Sequence, residues 1–341
     1  MGTKLSSILT VHEISLNSLA NKNLVIDAFN NLYQYLTTIR QQDGTPLMDS
    51  KGRITSHLSG LFFRTIYLIK IGLKLAFVFD GKPPELKSEE RERRADIKRE
   101  AEKKYQLAVQ REDIDLMRKY ASRTSKLTPE MVEEAKELIR ALGLPIVQAP
   151  SEAEAQASYM VKKGDFYGLI SQDTDGLLFG STRLIKNLTI SQRRKVRDTL
   201  GYTNIGPEEI VLSENLNKLG IDLDQLIVLG MLCGTDFNIG GIKGIGPKKG
   251  LKLVKTYGKD FDKLFKESDW NKFFEPSWDT VFNLIKNMPV TDNYELKWRN
   301  IDHKRVAEIM VRKHNFADER IENTLSDLIK KQKQKGLADF F

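Results

Sequence analysis

Carboxylates recur along this chain where runs of apolar residues stop. Asp27 ends Leu24-Val25-Ile26-Asp27, and Asp80 ends Leu75-Ala76-Phe77-Val78-Phe79-Asp80, directly before Gly81. Glu152 and Glu154 follow the apolar stretch at 145–149, and Asp173 and Asp175 follow the one at 167–171. Singly, each acid has an ordinary structural use: Ser151 with Glu154 fits a helix capping box, Asp173 an N-cap, and Asp80-Gly81 a turn. Together, that many carboxylates meeting at one place would repel one another and raise each other's pKa unless cations neutralised them. Divalent metal is the simplest resolution, and Asp236, in Gly234-Thr235-Asp236, is a seventh candidate ligand. The single cysteine, Cys233, and four scattered histidines leave oxygen as the ligand atom, so Mg²⁺ is expected, with Mn²⁺ able to substitute, rather than zinc. Two such ions about 4 Å apart can generate an attacking hydroxide and stabilise the leaving oxygen of a phosphodiester displacement.

A net charge of +8 favours a polyanionic partner. Lys87, Arg93 and Arg94 come shortly after Asp80, near enough in sequence to face a phosphate beside the acids, although a solvated charged helix is the more common explanation of such a run. The glycine-rich stretch at 240–250 lacks the Gly-Lys-Ser/Thr ending of a nucleotide-binding loop, so use of ATP is not indicated. Gly244 and Gly246, followed by Lys248 and Lys249, instead suit a helix-hairpin-helix in which backbone N–H groups approach a DNA phosphate; the alternative is a plain helix connector.

The elements that must position these residues follow from pattern. The apolar runs ending at Asp27 and Asp80, with those at 145–149, 167–171 and 184–186, read as buried strands. Helical periodicity at 30–41, 55–71 and 152–163 alternates with them, which makes the chain an α/β protein with a mainly parallel central sheet flanked by helices. In such sheets the ligand site lies beyond the carboxyl ends of the strands, where the acids are. Residues 87–126 are too charged to bury a face. From about residue 207 onward the pattern is helical. No run approaches the roughly 18 apolar residues of a membrane span and no secretory leader is evident, so an intracellular protein is expected.

Four segments carry a resemblance: Val78-Phe79-Asp80-Gly81-Lys82-Pro83-Pro84, Ala149-Pro150-Ser151-Glu152-Ala153-Glu154-Ala155, Ser171-Gln172-Asp173-Thr174-Asp175, and Gly234-Thr235-Asp236 leading into Gly241-Ile242-Lys243-Gly244-Ile245-Gly246-Pro247-Lys248. In this order they resemble the flap endonucleases of the archaeal and eukaryotic type, structure-specific 5′ nucleases with a PIN-like fold. The resemblance spans nearly the whole chain. It implies that Asp27, Asp80, Glu152, Glu154, Asp173, Asp175 and Asp236 hold two Mg²⁺ ions and that Lys87 and Arg94 are the catalytic cations. Seven residues apart, these two would point from one helix at the same phosphate. It further implies that Tyr33 stacks on a base near the cut, that Arg40 contacts DNA, and that carbonyls near Gly241, Ile242 and Ile245 hold K⁺. Gln334, Leu337, Phe340 and Phe341 look like the box by which such enzymes bind the sliding clamp (PCNA).

The implied organisation is one nuclease domain over 1–330, made of an N-terminal region (1–83), a helical arch (84–128), an internal nuclease region (129–235) and a helix-hairpin-helix with C-terminal helices (236–330). A flexible tail at 331–341 carries the clamp box. The implied activity is hydrolysis of branched DNA near a 5′ single-stranded end, with associated 5′ exonuclease activity, by a monomer working with DNA in replication and repair, in the nucleoid of an archaeon or the nucleus of a eukaryote. A junction-cutting relative and a non-catalytic DNA scaffold are the rival readings. Thr174 stands where many relatives carry an aromatic residue, which puts packing beneath the acids in question rather than the acids themselves.

Overall fold

The computed structural model describes residues 4–111, 113–189, 193–195 and 202–338; for 114, 118, 193–195, 202–204 and 329–338 it describes the backbone alone. Strands β1 (His12–Glu13) and β2 (Asn23–Asp27) are followed by α1 (Ala28–Thr38), α2 (Ser56–Ile71) and β3 (Lys74–Phe79). Helices α3 (Ser88–Gln110) and α4 (Ile114–Ala121) form the charged insertion, after which α5 (Pro129–Ala141), β4 (Ile146–Gln148), α6 (Ala153–Lys163) and β5 (Gly168–Ile170) resume the alternation. Next come α7 (Asp175–Leu178), β6 (Arg183–Lys186), β7 (Arg193–Lys195), β8 (Tyr202–Asn204) and β9 (Glu208–Val211). The rest is helical: α8 (Leu212–Leu219), α9 (Leu223–Cys233), α10 (Pro247–Tyr257), α11 (Phe261–Glu267), α12 (Trp278–Lys286), α13 (His303–Ala307) and α14 (Asp318–Ala338).

The main sheet has seven strands in the order β1-β9-β6-β5-β2-β3-β4. The block from β6 to β4 is parallel throughout, while β9 and β1 add antiparallel pairs at one edge. The chain winds outward from β2 through β3 to β4, then crosses to the other side of β2 for β5 and β6. This reversal opens a crevice at the carboxyl ends of the central strands. Each central strand feeds two cores, because alternate side chains point to opposite faces. Val25, Ala76 and Val78 pack with α6 and α9 on one face, and Leu24, Ile26, Leu75, Phe77 and Phe79 pack with α1, α2, α5 and α14 on the other.

Three expectations need amendment. The chain after residue 207 is not helical at once: β9 pairs with β6 from Arg183↔Val211 to Lys186↔Glu208. A four-residue strand that opens with two glutamates leaves too little periodicity to detect, and β1, of two residues, leaves less. The charged insertion does bury part of itself. Ala101, Ala108 and Ala121 are buried and α3 packs against α4, small side chains serving where large apolar ones are few. Finally, the boundary drawn at residue 330 falls inside α14, which continues through Gln334 and Leu337 to Ala338.

One glycine decides how closely two site-bearing strand ends approach. A Cβ on Gly81 would lie 2.2 Å from the Ala149 carbonyl oxygen and 2.4 Å from that of Pro150, while the Gly81 N–H donates to the Ser151 carbonyl at 2.6 Å. Gly81→Ala is therefore expected to push Asp80 away from the β4 end at a cost of roughly 1–3 kcal/mol. Thermal denaturation checks this; a melting temperature equal to that of the parent protein would mean that the two ends part freely.

Candidate active site

The acids lie at the carboxyl ends of the central parallel strands, and several cap helices that begin there. Asp27 is both the last residue of β2 and the N-cap of α1, accepting from the Asn30 N–H at 3.1 Å. Asp80 reaches from the end of β3 to the start of α6, where the Ala153 N–H donates to its Oδ1 at 2.6 Å. Glu154, on α6, accepts at Oε1 from the Gly176 N–H of α7 at 3.1 Å. These bonds satisfy amide groups that the first turn of a helix leaves without partners and place negative charge at the positive end of the helix dipole. The local capping box over 151–154 does not form: Glu152 occupies the N-cap of α6 without a side-chain bond, because Asp80 does that work from another strand. Nor is Asp173 the N-cap of α7; that position belongs to Thr174, which is buried. Asp173 instead accepts from Asn30 Nδ2 at 3.0 Å.

Crowding has the expected electrostatic result. Burial, then the neighbouring charges of Asp80 and Glu152, push the Asp27 carboxyl up to about 8. Burial also raises Asp80 and Glu152, and it raises Glu154 well above the ordinary range with help from Asp175, Asp27 and Asp173. Through these pairs, and that of Glu152 with Asp236, the seven acids picked out in the sequence form one connected set of interacting charges.

Two cations offset them. Lys87 Nζ lies 2.5 Å from Glu152 Oε2 and 3.2 Å from Asp236 Oδ2. Arg94 Nη2 donates to both oxygens of Asp236, at 2.8 and 3.0 Å. Burial alone would lower the pKa of Lys87, but Glu152 and Asp236 hold it above the usual lysine range. Lys87 and Arg94 both reach Asp236, but not from one helix as their spacing suggested: Lys87 ends the short 3-10 turn Glu85–Lys87 ahead of α3. Among the described residues, no group of three acids, histidines or cysteines is gathered closely enough to hold an ion as it stands. The Lys87 ammonium lies between two of the acids.

A buried residue missed in the sequence, Glu90, aims Arg94. Its carboxylate accepts from Arg94 Nε at 2.6 Å and from Arg93 Nε and Nη2 at 2.6 and 2.7 Å, and it is only 3 % exposed. Its i, i+3 and i+4 spacing to the arginines was the available signal. Tyr33 and Arg40 lie on and just beyond α1; Lys98 of α3 stands 4.7 Å from the centre of the Tyr33 ring.

The glycine-rich turn joins α9 to α10. Gly234 and Gly241 sit backbone against backbone, both at positive φ, where a Cβ on Gly241 would lie 2.4 Å from the Cys233 carbonyl carbon. Ile242 is buried, and its carbonyl accepts from the Ile245 N–H at 3.0 Å. Gly244 and Gly246 face open space. Lys248 lines a shallow groove with Lys252 and Lys255, two lysines the sequence reading overlooked although their spacing places them on one helix face; Lys249 reaches the Gly244 carbonyl instead, at 3.4 Å. Of the clamp box, Gln334 and Leu337 lie on the α14 backbone, and Phe340 and Phe341 lie outside the described residues.

Comparison with known proteins places this geometry. Residues 2–101 match the XPG N-terminal domain and residues 143–236 the XPG I-region, so the matched regions flank much of the charged helical insertion and the class is that of the XPG proteins. Flap endonuclease 1 of Staphylothermus marinus is 51% identical over 333 residues, covering 96% of this chain and 94% of its own, and that of Ignicoccus hospitalis is 50% identical over 325, covering 94% and 91%. The solved flap endonuclease-1 from Methanococcus jannaschii matches with a TM-score of 0.77 at 39% identity, covering 98% of this chain and 100% of that one. The chain belongs to the flap endonuclease family, whose members are metal-dependent nucleases.

Without metal, the acid cluster should make stability depend on pH in an unusual direction. Asp27 titrates near 8 in the folded chain against 3.8 for an ordinary aspartate, so between these values the folded state binds more protons than the unfolded one, and stability falls as pH rises. In the presence of a chelator, the melting temperature is expected to drop between pH 5 and 8 by roughly 2–4 °C per kcal/mol lost, and Asp27→Asn should flatten the slope. A melting temperature that rises across this range would contradict the crowding.

Proposed function

We propose that this protein cuts a phosphodiester bond near the junction of single strand and duplex in 5′-flap DNA, leaving a 5′-phosphate, and also trims 5′ ends as an exonuclease. The observation that carries this reading is the meeting of buried, protonation-prone carboxylates with Lys87 and Arg94 at the start of the charged α3–α4 insertion. The donor set is all oxygen and in need of positive charge, which fits two hard divalent ions, Mg²⁺ or Mn²⁺, held by Asp27, Asp80, Glu152, Glu154, Asp173, Asp175 and Asp236. Such ions supply Lewis acidity and an activated nucleophile at the phosphorus.

The remaining work falls to the chain itself. Lys87 and Arg94, now paired with Glu152 and Asp236, exchange those partners for the scissile phosphate and stabilise charge that develops on its oxygens. Glu90 keeps the Arg94 guanidinium turned toward the site. Tyr33 offers a ring face to the base next to the cut, and Arg40 a guanidinium to the backbone. The N–H groups at Gly244 and Gly246, with Lys248 and Lys249, hold duplex phosphates, and carbonyls of Gly241, Ile242 and Ile245 bind K⁺ beside them. The 5′ strand passes beneath α3 and α4. The box of Gln334, Leu337, Phe340 and Phe341 docks a monomer of this enzyme on a sliding clamp, where chromosomal DNA is replicated and repaired.

The direct test is cleavage of a 5′-labelled double-flap DNA beside plain single strand and blunt duplex, with magnesium and with chelator; magnesium-dependent cutting at the junction is expected, and tight binding without cutting would favour a scaffold. Asp80→Ala or Asp175→Ala should abolish cutting while DNA binding stays within about tenfold, since removing an acid also lessens repulsion of phosphate. Parallel loss of binding would argue that these acids hold the fold rather than the metal. Deletion of residues 337–341 should leave cutting of free flap DNA intact and remove its stimulation by the clamp, measured as initial rates with and without clamp. A fall in the unstimulated rate would assign the tail to the folded body.

A further inference from the structure

Ser125 lies where the arch rejoins the body, just after the 3-10 turn Ser122–Thr124. It is 8 % exposed and bonded to three residues of α1 and its extension. The Arg40 guanidinium donates through Nη2 to Ser125 Oγ, Ser125 Oγ donates to the Leu36 carbonyl at 3.4 Å, and the Tyr33 hydroxyl donates to the Ser125 carbonyl at 3.4 Å. The other bonds of Arg40 stay within its own segment: Nε donates to the Thr37 carbonyl at 3.3 Å and Nη1 to that of Gly44 at 2.7 Å. They anchor the group and leave its remaining N–H donors for a phosphate. Ser125 is the arch's contribution to that anchor. Lys98 of α3 also stands over the Tyr33 ring, 4.7 Å from its centre.

We infer that Ser125 is a positioning residue that couples the arch to the DNA-contacting pair Tyr33 and Arg40, so that the base platform and the guanidinium are correctly set only when the arch is seated. A strand held under the arch and a phosphate held by Arg40 then report to each other through one buried hydroxyl. Buried side-chain bonds of this kind act as units, and a double-mutant cycle separates such coupling from independent contributions. The inference rests on the placement of Arg40 on DNA proposed above.

The experiment uses the full chain and four variants, Ser125→Ala, Ser125→Thr, Arg40→Ala and the Ser125→Ala/Arg40→Ala pair. Single-turnover flap cutting with magnesium, the distribution of cut positions, and flap binding by anisotropy in chelator are read for each. Ser125→Ala is expected to slow single-turnover cutting by about tenfold and to spread the cut over neighbouring positions, with binding within about twofold. Ser125→Thr, which keeps the hydroxyl, should restore both rate and position. In the Arg40→Ala background, Ser125→Ala should cost nothing further. Multiplying rate losses in the double variant would overturn the coupling while leaving Arg40 on DNA. An Arg40→Ala enzyme that cuts like the parent would remove the placement of Arg40, and the coupling with it. Should Ser125→Ala melt below the assay temperature, Ser125→Cys, of similar shape and with a weak acceptor, replaces it with the same expected outcomes.

Discussion

Everything about this site depends on the cost of gathering anions out of water at one edge of a sheet. A buried carboxylate without compensation prefers to hold its proton, and here burial and mutual repulsion drive Asp27 to about 8 and Glu154 well above the ordinary range. The fold tolerates the crowding because helix N-termini converge on the same edge. Asp27, Asp80 and Glu154 each take a first-turn N–H, so part of the repulsion is offset by dipoles that the α/β winding supplies.

The insertion completes the balance. Lys87 and Arg94 bring positive charge to Glu152 and Asp236 from a segment with few large apolar side chains, and Glu90 fixes the direction from which Arg94 arrives. The same segment is tied at its other end to α1 through Ser125. The α3–α4 insertion and the turn that follows it therefore contact both the acids and the segment of α1 and Arg40.

Much of this was legible along the chain. Apolar runs ending in acid located β2 and β3 and put Asp27 and Asp80 at the same sheet edge, because a buried parallel strand leaves a continuous apolar signature. The helices at 55–71 and 152–163 appear within a residue or so of where their period predicts. The short strands β1 and β9 were hidden, having too few residues to show a period. Capping was misassigned for a different reason. Ser151 and Glu154 have the spacing of a local box, yet Asp80, 73 residues earlier, takes the Ala153 N–H.

The sequence by itself determined the inventory and its order: acids at the ends of apolar runs, two cations seven residues apart, a glycine turn followed by lysines, and an order of strands and helices that carries the acids to a common edge. Tertiary structure alone decided which charge offsets which. That Lys87 stands between Glu152 and Asp236, that Glu154 caps α7, and that Arg40 leans on Ser125 are through-space relations across 65, 22 and 85 residues of chain. Coulomb energies and hydrogen bonds follow distance and burial, and neither is written in the local pattern of residue types.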